Sequence, residues 1–163
     1  MLLVRPRGSF RQGFDVLDQG GAPVGAFLGS AWRESGRIQA GGEEWEFRRE
    51  RYRRLSLAGP QGVYAAAERV SLWSGRWRLT TGGQAYELVK GGWFSRRYEL
   101  LAGDAVVGEL APRGVFGSKA AVELPPQLPP AVQVFVIAVV MTLWRREQNS
   151  ASGAAAGAAG ASS

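Results

Sequence analysis

The sequence predicts a mainly β fold: a closed antiparallel barrel of about twelve strands with one buried hydrophobic C-terminal helix along its axis. Three observations predict it. Between residues 10 and 124, short segments of period-two character alternate with glycine-rich breaks, and none sustains a 3.6-residue period. Glycine is abundant, 23 residues against 8 prolines, and scattered, as a chain that turns often requires. From Ala131 to Trp144 only Gln133 and Thr142 are polar, so one segment is apolar on every face.

In chain order, strands are expected at 14–18, 23–28, 36–40, 43–49, 53–58, 62–67, 69–73, 76–81, 84–90, 94–101, 105–111 and 119–124. Several neighbouring pairs repeat one hairpin. "FDVLDQGGAPVGAF" (14–27) and "YELLAGDAVVGEL" (98–110) both run aromatic, acid, aliphatic and Leu, then a Gly-containing turn and Val-Gly. "YRRLSLAGPQGVYAA" (52–66) is a looser copy that turns at Gly59-Pro60-Gln61-Gly62, where Pro presets one φ and Gly supplies a positive one. The pattern fits either an internal duplication or the grammar that all hairpins share, and it implies meander connectivity.

Strands stop at "LPPQLPP" (124–130), because proline cannot donate to a ladder, and Pro129-Pro130 is placed to open a helix. The fourteen residues of the apolar run would span about 21 Å as a helix, against about 30 Å for a bilayer core. Arg145-Arg146 flank it on the C-terminal side only, which would place the whole preceding domain outside a membrane, and no export signal supports that. Such a helix needs protein around it. Twelve strands close into a barrel about 24 Å across, narrowed by inward side chains to about 12 Å, which accepts one α-helix. Residues 1–147 therefore read as one domain, with the central helix at about 130–146 and Val132, Phe135, Val136, Val139, Val140 and Leu143 as its core face. Residues 148–163, which after Asn149 are only Ala, Gly and Ser, read as a disordered tail.

Composition narrows function by exclusion. The chain has no Cys and no His, which removes disulfides, thiolate nucleophiles, the usual neutral-pH general base and zinc ligation by either residue. Gly-rich stretches at 20–25 and 114–119 lack dinucleotide or P-loop spacing and read as turns. Ser118 and Lys119 are adjacent, so on a strand they point to opposite faces and cannot act as nucleophile and base. No catalytic constellation, metal site or cofactor site is expected, and the chain reads as non-enzymatic. The net charge of +6 favours anionic partners. The apolar N-terminal run "LLV" is too short for a signal-peptide core, so the domain reads as cytoplasmic.

A closed twelve-stranded barrel around a hydrophobic C-terminal helix resembles the tubby C-terminal-like superfamily, which includes tubby proteins, phospholipid scramblases and the LURP-one-related proteins. The likeness is carried by "RRYELLAGDAVVGEL" (96–110), "GVFGSKAAVELP" (114–125) and "LPPAVQVFVIAVVMTLWRRE" (128–147), and it is similar to a short, bacterial-type member. Cysteine-dependent features of scramblases have no counterpart, so that activity is not implied. In phosphoinositide-binding relatives a basic barrel surface receives the headgroup. The matching candidate here is Arg48, Arg49, Arg51, Arg53 and Arg54, set around Phe47 and Tyr52 but diluted by Glu43, Glu44, Glu46 and Glu50. The same residues also read as a solvated hairpin with cross-strand pairs.

"WSGRWRL" (73–79) places Trp73 and Trp77 around a Ser-Gly turn, either as a lipid-facing or base-stacking surface or as a barrel-rim cap. Trp93-Phe94 before Arg96-Arg97 reads the same way, and Trp144 before Arg145-Arg146 marks either an interfacial anchor or a helix leaving a barrel mouth. The expected protein is thus a monomeric binding or scaffold module, cytoplasmic and membrane-peripheral, touching an anionic phospholipid surface. The alternatives are a tail-anchored protein with 131–144 as anchor and a non-specific nucleic-acid binder, for which no motif speaks.

Overall fold

Every strand hydrogen-bonds its neighbour in sequence, and the first pairs with the last, so the sheet keeps no free edge. The computed structural model of the protein describes residues 1–8, 13–30, 33–71, 73–92, 95–113 and 119–160. The strands are β1 (Leu2–Pro6), β2 (Phe14–Leu17), β3 (Pro23–Ser30), β4 (Ser35–Ala40), β5 (Glu43–Arg51), β6 (Arg54–Gly59), β7 (Gly62–Arg69), β8 (Trp77–Thr81), β9 (Gln84–Lys90), β10 (Tyr98–Ala102), β11 (Ala105–Arg113) and β12 (Lys119–Glu123). They form an antiparallel meander that closes through the β1–β12 ladder, where Leu2, Leu3 and Val4 face Val122, Ala121 and Ala120.

The expected count of twelve holds, but two members differ. The strand that closes the barrel, β1, was not expected. Its apolar run is only three residues long and is followed by Arg5 and Pro6, yet Val4 points inward and is buried, and Pro6 sits at the strand's last position. Conversely, the separate strand expected at 69–73 does not form among the described residues. Arg69 ends β7, Val70 and Trp73 lie in the β7–β8 loop, and the Val70 N–H donates to the Arg76 carbonyl at 3.0 Å to close that loop. The β-favouring composition of "RVSLW" is overridden by Ser74-Gly75, which turn the chain early.

The repeated hairpin pattern has a structural counterpart. The β2–β3 and β10–β11 hairpins each carry a register shift after the third paired position, at Val16/Leu17 and Leu100/Leu101, and β6–β7 carries one after the fourth, at Leu57/Ala58. Opposite the third position stand Gly25 and Gly108 in the two closer copies. At Gly25 a Cβ would lie 2.7 Å from Val134 Cγ2 and 2.8 Å from the Gln39 carbonyl oxygen, so glycine lets the helix approach this wall.

Helix α1 (Pro130–Gly160) starts at the second of the paired prolines, whose missing N–H would have no helical partner there. It runs closest to β3, β4 and β6. The farther wall is filled by larger inward side chains, among them Trp77, Tyr86, Leu88, Tyr98 and Leu100. Val132, Phe135, Val136, Val139, Val140 and Leu143 are all buried, as are their neighbours on the helix's other faces, Val134, Ile137, Ala138 and Trp144. The two polar residues in the run satisfy themselves: Gln133 Nε2 donates to the Leu128 carbonyl and Thr142 Oγ1 to the Ala138 carbonyl, both at 2.9 Å. Among the described residues, no helix is long and apolar enough to cross a membrane.

The helix continues beyond the expected end near residue 146, through Gly160. Its residues from 148 to 153 are exposed. The continuation follows from Ala's high propensity and from elongation onto an existing helix, which needs no new nucleus.

Candidate anion-binding mouth

Because consecutive strands are antiparallel, alternate connections collect at opposite ends of the barrel. One end is made of the turns 18–22, 41–42, 60–61, 82–83 and 103–104 with the segment 124–129 that leads into α1, and these contain no Lys or Arg. At the other end, where α1 leaves, the connections and the helix exit bring Arg7, Arg33, Arg53, Arg76, Arg96, Arg97, Arg145 and Arg146, against Glu34 and Glu147. The barrel is therefore electrostatically polar along its axis.

The helix exit is latched to this basic mouth. Arg146 donates from Nε and Nη2 to the two carboxylate oxygens of Glu34, each at 2.7 Å. Its guanidinium lies 4.2 Å from the Tyr52 ring centroid and 5.7 Å from that of Trp77. Glu34 is only 7% exposed and has a φ of 50°, a left-handed conformation uncommon outside glycine and costly for a residue with a Cβ. Arg49 Nη1 adds a longer bond to Glu34 at 3.5 Å. The Trp144 indole N–H donates to the Arg96 carbonyl, and Glu147 accepts from Lys90 Nζ at 2.9 Å and the Tyr98 hydroxyl at 3.1 Å. Burial lowers the Arg145 pKa from its ordinary value, with the Glu34 charge opposing.

The five candidate arginines come together at this end, on β5, the β5–β6 turn and the start of β6, but they are not equivalent. Arg48 lies near Glu46 and Glu50, at 3.8 and 3.9 Å; Arg49 is held by Glu34; Arg54 bridges Glu50 and Glu68. The hydrogen bond from Arg54 holds the Glu50 carboxyl below its ordinary pKa. Arg51 and Arg53 are exposed and have no side-chain partner among the described residues, and the same is true of Arg33 and Arg113. The solvated-hairpin reading thus describes Arg48 and Arg54, whereas Arg51 and Arg53 leave uncompensated positive charge at the rim. At the opposite end, Glu43, Asp104 and Glu123 have no cationic partner among the described residues, and a groove of about 610 Å³ lies beside Glu43, Glu44, Trp45 and Tyr64.

The two tryptophans of 73–79 separate completely. Trp77 is 4% exposed and plugs the mouth beneath Arg146, whereas Trp73 is 96% exposed. Trp144 is buried and belongs to the helix exit, not to an interfacial anchor. Trp93, Phe94 and residues 114–118 lie outside the described residues. Sequence reasoning missed Glu34 and the charge polarity. The polarity was readable by summing charge over alternate connections once the meander was assumed. Nothing local marks Glu34, whose partner lies 112 residues away. Among the described residues, no group of three or more Asp and Glu is placed to hold a metal ion.

Tyr98 gives this end a pH signature. Burial, reinforced by the neighbouring Glu147 carboxylate, pushes its phenol well above the ordinary value of about 10. The stability it contributes is fully present below that ordinary value and is lost as pH rises further, because the unfolded chain ionises while the folded one holds the proton. Melting temperature is expected to fall more steeply between pH 9 and pH 12 in the wild type than in Tyr98→Phe. Parallel pH profiles would remove Tyr98 from the account.

Comparison with protein-family models, with curated proteins and with solved structures gives no match.

Proposed function

We propose that the protein is a non-enzymatic, monomeric binding module whose basic mouth receives anionic phospholipid headgroups, on the cytoplasmic face of a membrane and without crossing it. The observation that carries this reading is the split of charge between the barrel's ends, with Arg33, Arg51, Arg53 and Arg113, which have no side-chain partner among the described residues, at one and no Lys or Arg in the turns of the other. A planar anionic surface is met best by cations gathered on one rim, each contributing about 1 kcal/mol near the surface. The reading draws on the resemblance to the tubby C-terminal-like superfamily read from the sequence, and the missing His and Cys favour binding over chemistry.

Flotation with phosphatidylserine-containing vesicles tests it. Binding is expected at low salt, weakening as salt rises. Replacing Arg48, Arg49, Arg51, Arg53 and Arg54 by Gln should abolish flotation while circular dichroism still reports a folded β protein. Unchanged flotation would reduce the cluster to a solvated hairpin.

A further inference from the structure

We propose that the β7–β8 loop is a membrane-insertion finger, with Trp73 entering the headgroup layer of an anionic bilayer while the rim arginines hold the phosphates around it. The inference rests on the lipid-binding reading of the mouth and adds to it an apolar contact and an orientation.

Trp73 is 96% exposed, and Val70 in the same loop is 45% exposed. A free indole in water is an uncompensated apolar surface, and a Trp at the edge of a charged rim has the amphipathic ring that settles at a bilayer interface. The loop presents it on a structured support. At the base, the Arg69 N–H donates to the Arg53 carbonyl at 2.9 Å, tying the loop to the neighbouring β5–β6 turn, and Val70 bonds Arg76 across it. At the tip, the Ser74 N–H donates to Ser71 Oγ at 3.0 Å and the two hydroxyls meet at 2.6 Å. Trp77, four residues on, is anchored in the barrel, so one short segment fixes the loop's root and projects its end.

The neighbours decide the occupant. Arg53 stands at the turn bonded to the loop's root, with Arg51 beside it, and Tyr52 between them is 59% exposed. Aromatic rings interleaved with exposed guanidinium groups complement a surface that is anionic outside and apolar beneath. A protein partner or a second copy would not need the rim of cations. A nucleic acid would stack on Trp73 without drawing it into an apolar phase.

The full chain is mixed with phosphatidylcholine vesicles containing phosphatidylserine with brominated acyl chains, and Trp emission is compared between the wild type and Trp73→Phe. The expected result is a blue shift and quenching in the wild type that Trp73→Phe lacks. Trp73→Ala should remain folded and lose about tenfold in vesicle partition, the lower end of what burying one large apolar side chain gives. If the wild type floats in a salt-sensitive manner but shows no Trp73 quenching and Trp73→Ala floats equally, the finger is overturned and the basic mouth stands. Absence of vesicle binding at low salt overturns both. Concentration-dependent dimerisation abolished by Trp73→Ala, or oligonucleotide binding without vesicle binding, also overturns the finger.

Discussion

Ending the chain at Pro130 is expected to give an unfolded or insoluble product, not a trimmed soluble barrel. Val132, Val134, Phe135, Val136, Val139 and Val140 are fully buried and Ile137 nearly so, and all belong to the one core cluster that fills the barrel. At about 1.5–3 kcal/mol per side chain the gross loss is on the order of 10–20 kcal/mol, against a typical net stability of about 5–15 kcal/mol. The empty lumen cannot collapse, because a closed twelve-stranded sheet fixes its own circumference. Val136→Glu should fail for a second reason: it places a charge where the helix has no ionisable neighbour to pair with it. Solubility and circular dichroism of both forms check this. A soluble, β-rich 1–130 fragment with a cooperative melt would mean that the barrel stands without its helix.

Glu34→Ala is expected to lower stability by about 2–3 kcal/mol. Removing one partner of a buried ion pair costs about 3–5 kcal/mol, and the mouth admits enough water to Arg146 to reduce that. For a chain of this size the melting temperature should fall by roughly 4–12 °C. Glu34→Gly loses the same carboxylate but relieves the left-handed backbone, so it should be about 1 kcal/mol more stable than Glu34→Ala. Thermal melts of the three proteins separate the charge from the strain. Equal melting of wild type and Glu34→Ala would show that the latch contributes nothing.

The parts of the fold legible in the sequence are those encoded locally. Period-two segments between glycine turns gave most of the strands, and the length and all-round apolarity of 131–144 implied something to enclose it, which the barrel supplies. The count of twelve came out through an exchange. "LLVRP" looks like a frayed terminus because its strand character depends on pairing with β12, more than a hundred residues away, and "RVSLW" looks like a strand because a Val, a Leu and a Trp outweigh a turn written only in Ser74-Gly75. The site followed the same rule. The arginine cluster was visible as composition, but which arginines keep free charge depended on Glu34 arriving from the β3–β4 connection and Glu68 from β7. The fate of Trp73 and Trp77 depended on where β8 begins.

We propose that the location of charge at the mouth, not net charge, governs binding to anionic vesicles. The most direct measurement compares two variants of equal net charge in one vesicle-partition assay at low salt. Arg51→Gln with Arg53→Gln removes two positive charges from the basic mouth, and Gln19→Glu with Gln61→Glu adds two negative charges at the opposite end. The account predicts that the first pair weakens partition by about thirtyfold, two cations at about 1 kcal/mol each, and that the second leaves it near the wild-type value. Equal weakening by both pairs, or none by either, would contradict it.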